Sequence, residues 1–199
     1  MIERRIRGEQ FFIDLFGNDE RVVREKRKML AGVYELFTQR FPRLAKKETL
    51  HIISVPNRVE LLGKHTDYQG GETFLLTGPK NFFALSALSD DETSELVNAD
   101  LSFGKTVLRI GQGEPEILEE GVGAQFTMTV AKRLSVNLVD AGFGPLKNVK
   151  SVFAGDIPFG GGTSGSSFTS ATRRNPRSTS PPSTPTLFPS NRFAFNPRR

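Results

Sequence analysis

Arg58, Glu60, Lys64, His65, Thr66 and Asp67 fall in one short stretch directly after the apolar run Leu50 to Val55. An arginine fork can donate to a phosphoryl group, an ionised Asp67 can only accept, and His65 can do either according to its tautomer. Such a set suits the neighbouring hydroxyls of a sugar, with one cation placed near a transferred phosphate, because phosphoryl transfer works through positioning and electrostatic stabilisation. Gly63, Gly70 and Gly71 let the backbone turn where side chains would obstruct a ligand. A strand leading into a polar loop is the expected local structure, and a small-molecule kinase is the chemistry it suggests. Taken singly, Arg58 and Asp67 read better as a surface ion pair and His65 as a loop histidine of no consequence, and His51, among Leu50, Ile52 and Ile53, reads as a structural histidine.

A second constellation begins where the strand candidate Val149 to Ala154 runs into Gly155-Asp156-Ile157-Pro158 and then into Gly160-Gly161-Gly162-Thr163-Ser164-Gly165-Ser166-Ser167. Backbone N–H groups exposed by such glycines, together with the positive end of a following helix, make a site for phosphate oxygens, and a serine hydroxyl can help hold magnesium. No lysine stands where a Walker A loop needs one, so it is not that motif. A flexible linker has the same composition.

These two stretches need elements to position them. Asn18 or Asp19 can cap a helix from Glu20 to Phe41, in which Val22, Val23, Met29, Leu30, Val33, Leu36 and Phe37 recur near helical spacing and which Pro42 ends. The basic run Arg21 to Lys28 alternates with apolar positions and reads as a solvated helix face rather than a nucleic-acid patch. Glu72 to Leu88 reads as strand material broken by a turn at Gly78-Pro79 and resumed, and Thr106 to Ile110 as a further short strand. Between Gly123 and Gly142, Phe126, Val130, Leu134 and Leu138, joined by Ala131 and Val139, form one apolar helical face, with Gly142 as the stop.

Composition sets the limits. The 199 residues carry 27 Lys and Arg against 22 Asp and Glu, a net of +5, with a pI near 9.7. The excess is local, because the six arginines at 173, 174, 177, 192, 198 and 199 fall beyond Ala171 with no acid among them, leaving a net of −1 for residues 1–171. Half of the 12 prolines also fall there. Residues 172–199 are therefore expected to be a disordered tail, since such a sequence cannot repay its ordering entropy by burial. Nucleic acid is not expected as a partner. Zero cysteines exclude disulfides, thiolate metal sites and a cysteine nucleophile. The charged N-terminus lacks a signal-peptide run and no segment is long and apolar enough for a membrane span, so a cytoplasmic monomer without membrane contact is expected.

Together the two motifs resemble a known family. Val55-Pro-Asn-Arg-Val-Glu-Leu-Leu-Gly-Lys-His-Thr-Asp-Tyr-Gln-Gly-Gly71 resembles the galactokinase signature, usually Pro-Gly-Arg-Val-Asn-Leu-Ile-Gly-Glu-His-Thr-Asp-Tyr. Pro158 to Ser167 resembles the Pro-x-Gly-x-Gly-Leu-Ser-Ser-Ser-Ala phosphate loop of the galactokinase, homoserine, mevalonate and phosphomevalonate (GHMP) kinases. The resemblance spans roughly residues 30–171 and implies an α+β fold, the N-terminal half of the GHMP kinase fold, in which a mixed sheet like that of ribosomal protein S5 domain 2 is backed by the helices at 20–41 and 124–142. It implies an arm at 1–19, a kinase-like domain at 20–171 with its sugar loop at 55–71 and phosphate loop at 156–167, and then the tail. It further implies ATP-dependent phosphorylation of the anomeric hydroxyl of galactose or a related hexose. Arg58 would stabilise the transferring phosphoryl group. Lys64, His65, Asp67 and Tyr68 would line the sugar; Gly160, Gly162, Ser164, Gly165 and Ser166 would cradle ATP, and Ser166 would reach Mg2+.

This sequence departs from the family pattern in places. Lys64 replaces a sugar-binding glutamate, and an ammonium can donate to a hydroxyl but cannot accept from it. The family's base aspartate, a sugar-contacting tyrosine and a third glycine-rich motif lie beyond the phosphate loop, where this chain turns to Arg-Pro-Ser-Thr sequence. A weakly active or inactive chain, or a sugar-binding regulator, is the alternative expectation. The abrupt tail is what a shifted reading frame or wrong splice would append, and an in-frame transcript encoding it would count against that hypothesis.

Overall fold

A computed structural model of the chain describes residues 3, 6, 8–46, 49–63, 66, 69–110, 114–121 and 123–157. The tail at 172–199 lies outside them. In chain order the elements are α1 (Gln10–Phe16), α2 (Glu20–Arg40), α3 (Pro42–Ala45), β1 (His51–Leu62), β2 (Phe74–Leu88), β3 (Thr93–Asn98), a 3-10 turn at Leu101–Phe103, β4 (Lys105–Arg109), β5 (Glu116–Glu119), α4 (Ala124–Asp140) and β6 (Val149–Gly155).

The helix expected over 20–41 forms as α2. The Asp19 side chain accepts from the Arg21 and Val22 N–H groups, satisfying two of the first turn's orphan donors. Arg40 in the last turn suits the negative end of the dipole. Pro42 does end it, and then starts the one-turn α3 at a position where its missing N–H costs nothing. The buried stripe is Val23, Lys26, Leu30, Val33 and Phe37, at steps of three and four.

The six strands form one mixed sheet in the order β1-β2-β6-β3-β4-β5. All neighbours are antiparallel except β3 and β6, which run parallel. Phe83, Leu85, Val97 and Val152 pack with Phe12 of α1 and with Leu30, Val33 and Phe37 of α2 in one core. Leu108 pairs with Ser94, three positions from Val97, and so points to the opposite face. There it packs with Ile110, Leu146, and Ala131 and Leu134 of α4. The sheet is thus covered by α1 and α2 on one side and by α4 on the other, the helix-backed mixed sheet that the sequence implies.

Three details differ from the sequence reading. β1 does not end at Val55 but continues through Arg58 to Leu62, because the apolar residues 74–76 offer it a partner strand. β2 runs unbroken through Gly78-Pro79, where a register shift between Pro56 and Arg58 absorbs the irregularity. Gly78 is needed there, since a Cβ would come within 2.8 Å of the buried Asn57 side chain. On α4 the buried face is Ala124, Thr127, Ala131 and Leu134, while Phe126 is 71% exposed and Val139 is exposed too. Val130 and Leu138 of the expected face pack against the core beside Ala131 and Leu134, so the departure is confined to Phe126 and Val139. The expected stop at Gly142 holds: Gly142 has φ +78°, its N–H donates to Val139, and the Phe143 N–H donates to Leu138, a Schellman closure.

Residues 10–16, within the expected arm, are a helix whose Phe12 is fully buried. No helix among the described residues is long and apolar enough to cross a membrane.

Candidate functional site

The register of the sheet fixes where the two motif-bearing segments leave it. Val55 of β1 pairs with Phe82 of β2, which on its other side pairs with Gly155 of β6. Both outer strands run antiparallel to β2, so β1 and β6 head the same way and leave this level side by side, two strand spacings or about 10 Å apart. β6 stops there. β1 continues with β2 as a two-stranded arm that turns back through residues 63–73.

Arg58 sits on that arm opposite Thr77, about three residues beyond the β6 exit. Its side chain is exposed and makes no hydrogen bond or ion pair among the described residues. It therefore belongs to a strand and not to the loop. Thr66, counted among the sugar-competent side chains by its sequence, instead closes the backbone turn. Its hydroxyl donates to the Gly63 carbonyl at 2.7 Å, with the Glu72 carbonyl 3.2 Å away. Its own carbonyl accepts from the Gln69 and Gly71 N–H groups. Gly63 stands at φ +84°, and a Cβ on it would overlap the Glu72 carbonyl, so glycine is required where the arm turns. Lys64, His65, Asp67 and Tyr68 lie outside the described residues, as do Gly160, Gly162, Ser164, Gly165, Ser166 and all of 158–199.

The exit of β6 is heavily braced. Asp156 accepts from the Asn81 N–H at 2.8 Å through Oδ1 and from Lys26 Nζ at 2.6 Å through Oδ2, with Lys80 Nζ at 3.4 Å. Its own N–H donates to the Asn81 carbonyl. Gly155 must be glycine, because a Cβ there would overlap the Phe82 ring. Lys26 is only 2% exposed and stands over the Phe16 ring, 5.4 Å from its centroid. Burial pulls the Lys26 ammonium below the ordinary lysine range, and its hydrogen bond to Asp156 offsets part of that. Burial also pushes the Asp156 carboxyl up, but hydrogen bonds from Lys26 and Asn81 outweigh it and hold the group below the usual carboxylate range. Lys26 corrects the reading of Arg21 to Lys28 as a wholly solvated face. A lysine in register with Val23, Leu30, Val33 and Phe37 was the signal that could have found it.

His51 behaves as the structural histidine expected of it. It is half-buried in β1 opposite Ser86, its Nε2 has no hydrogen-bond partner among the described residues, and burial lowers its pKa. No group of three or more His, Asp or Glu among the described residues is placed to hold a metal ion.

The galactokinase galactose-binding signature matches residues 35–83, from the last turns of α2 to the middle of β2. A galactokinase from Schizosaccharomyces pombe is 29% identical over 122 residues, covering 56% of this chain and 23% of its own length. The solved structure of Lactococcus lactis galactokinase complexed with galactose superposes with a TM-score of 0.53 at 23% identity, covering 68% of this chain and 33% of that one. The chain thus spans a third or less of the length of these two relatives. Over the matched region it is similar in sequence signature and in fold to the N-terminal portion of the galactokinases, within the GHMP kinases.

Proposed function

We propose that the chain acts at a galactokinase-like site, in which the arm from β1 to β2 holds galactose or a related hexose and the segment after β6 holds Mg-ATP. The observation that carries this reading is the register Val55–Phe82–Gly155, which sends both segments out of the same end of the sheet with one strand between them. Arg58 stands on the arm between the level of the β6 exit and the turn, with no partner among the described residues. It is the cation to stabilise charge on the transferring phosphoryl group, while His65 and Asp67, with Lys64 and Tyr68, receive the sugar hydroxyls. Gly160, Gly162, Ser164, Gly165 and Ser166 supply the backbone donors and hydroxyls for the triphosphate, with Ser166 at the magnesium. When bound, the metal and nucleotide supply the phosphoryl group and neutralise its charge.

Reaction at the anomeric hydroxyl needs a base, and no residue of the 199 matches the family's base aspartate. Asp156 is committed to Lys26 and Asn81. Loss of a general base costs typically 10²- to 10⁴-fold in rate, so weak turnover by this chain alone belongs to the proposal. A non-catalytic sugar-binding regulator is the second reading, favoured because the matched signature is confined to the sugar-binding stretch. We place the protein in the cytoplasm as a monomer.

Titration calorimetry of the purified chain with galactose and with Mg-ATP, beside a coupled assay for ADP release, tests this. Heats for both ligands and a slow release cut about 10²-fold by Arg58→Ala support the kinase, on the scale of losing one preorganised donor. Sugar binding without release supports the regulator. No heat for either ligand overturns both readings.

A further inference from the structure

We propose that Asn57 is a positioning residue for Arg58: its buried side chain wedges the break between the sheet and the arm of β1 and β2, and so sets the direction in which the arm carries Arg58. The inference rests on the functional reading above, in which Arg58 serves the transferring phosphoryl group. The register locates the break. Pro56 pairs with Asn81 and Arg58 with Thr77, so Gly78, Pro79 and Lys80 of β2 stand opposite the single residue Asn57 of β1. A bulge of this size interrupts the ladder and bends the strand, and Pro79 has no N–H to donate across it.

The two sides of the break are held differently. On the sheet side the Asn81 side chain donates to Ser54 of β1 at 3.1 Å, and its N–H donates to Asp156 at 2.8 Å. On the arm side the described ties are the pairs Val59–Leu76, Glu60–Leu75 and Leu62–Phe74. A change of angle between arm and sheet is therefore concentrated at the break. Pro79 and Lys80 are exposed and Gly78 has no side chain, which leaves Asn57, only 6% exposed, to fill it. Its amide lies directly on Gly78, where a Cβ would come within 2.8 Å of Oδ1, 3.1 Å of Nδ2 and 3.3 Å of Cγ. Oδ1 is buried without a hydrogen-bond partner among the described residues. An orphan acceptor is costly, so what this side chain supplies is volume between the strands rather than a bond. The galactokinase signature has glycine in this place, where no wedge can form, so the device belongs to this chain. Arg58 is the next residue, and a misplacement near 1 Å can cost about 10²-fold in a site that works by positioning.

The chain has no cysteine, so pairs of spin labels on introduced cysteines can report the arm's direction in the full-length protein. One label goes on Leu62→Cys, exposed and five residues beyond Asn57, roughly 16 Å along the strand. The other goes on Arg24→Cys, exposed on α2, and a control pair at Arg24→Cys and Glu92→Cys spans the sheet without the arm. Asn57→Gly should broaden or shift the arm distance while leaving the control pair as in the parent. Gly78→Ala, whose Cβ displaces the Asn57 amide, should shift it too. An unmoved arm distance in folded Gly78→Ala would overturn the proposal, even if thermal melts showed Asn57→Gly unfolded. A shift of the control pair along with the arm would also overturn it, since Asn57 would then support the whole sheet. In a coupled assay for ADP release, Asn57→Gly should slow turnover by about 10- to 10²-fold, and Arg58→Ala should add little to that loss. Losses that simply add would overturn the link to Arg58. A parent chain without ADP release would overturn the kinase reading instead, and the label distances would still decide whether Asn57 sets the arm.

Discussion

At the end of β6 the chain is held by Lys26, Lys80 and both backbone groups of Asn81, beneath a core in which Phe83 meets Phe12 and Phe16 edge to face. A few residues further out, the arm of β1 and β2 exposes Leu61, Leu62, Phe74 and Leu76, and its Arg58 has no described partner. Both regions lead toward a ligand in the proposed reading, yet one is fixed from two elements, α2 and β2, and the other, among the described residues, by its own two-stranded ladder. The contrast suggests that triphosphate and sugar place different demands on their supports. A triphosphate must be presented to the acceptor within fractions of an ångström, whereas an arm that closes over a sugar can derive its final rigidity from the ligand.

Substitutions can break this comparison, beginning with the core under the β6 exit. Phe83→Ala should cost about 3–5 kcal/mol, since the ring is fully buried and the cavity left against Phe12 and Phe16 cannot collapse without moving α1; urea unfolding would measure it. Lys26→Ala should cost roughly 2–4 kcal/mol, somewhat less than a fully enclosed ion pair because Asp156 keeps Lys80 and the Asn81 N–H.

Acid should act on the same pair. The folded pKa of Asp156 is lower than its unfolded one, so its contribution to stability is complete above about pH 4 and is lost as the pH falls through the folded value. Stability curves at a series of acid pH values should be flatter in Asp156→Asn than in the parent. On the arm, by contrast, Phe74→Ser and Leu62→Ser should shift unfolding by no more than about 0.5 kcal/mol, as expected of exposed positions. A cost near that of Phe83→Ala would show the arm to be packed as firmly as the β6 exit.

How much of this was legible depended on whether the signal was local. The Asp19 cap and the three-and-four spacing of Leu30, Val33 and Phe37 announce α2 in the sequence itself. Val149 to Ala154 does the same for β6 through Val149, Val152 and Phe153, followed by the glycine at 155. β3, with sequence Thr-Ser-Glu-Leu-Val-Asn, and the four-residue β5 have no such signature and exist because neighbours pair with them. Gly78-Pro79 looks like a turn to any local reading, and only the opposing Asn57 and the register shift make it a strand. On α4 the expected stripe faces the sheet through Val130, Ala131, Leu134 and Leu138, while Phe126 and Val139 at its margins are exposed.

The candidate site divides in the same way. Arg58 and the glycine-rich segment stand out as motifs, whereas Lys26 was hidden in a run of charges, and Asp156 became its partner only when α2 packed across β6. Thr66 shows the reverse error, since a hydroxyl in a ligand-rich motif turned out to serve the turn of the backbone.

The central claim is that the two strand exits face a single cleft. Substituting Mn2+ for Mg2+ makes the nucleotide complex paramagnetic, so the relaxation of galactose protons in a ternary mixture with this chain reports their separation directly. Strong Mn-ATP-dependent relaxation of bound galactose, abolished by excess diamagnetic Mg-ATP, is the result expected. Galactose that binds without being relaxed by bound Mn-ATP would place the two ligands in separate sites and contradict the account.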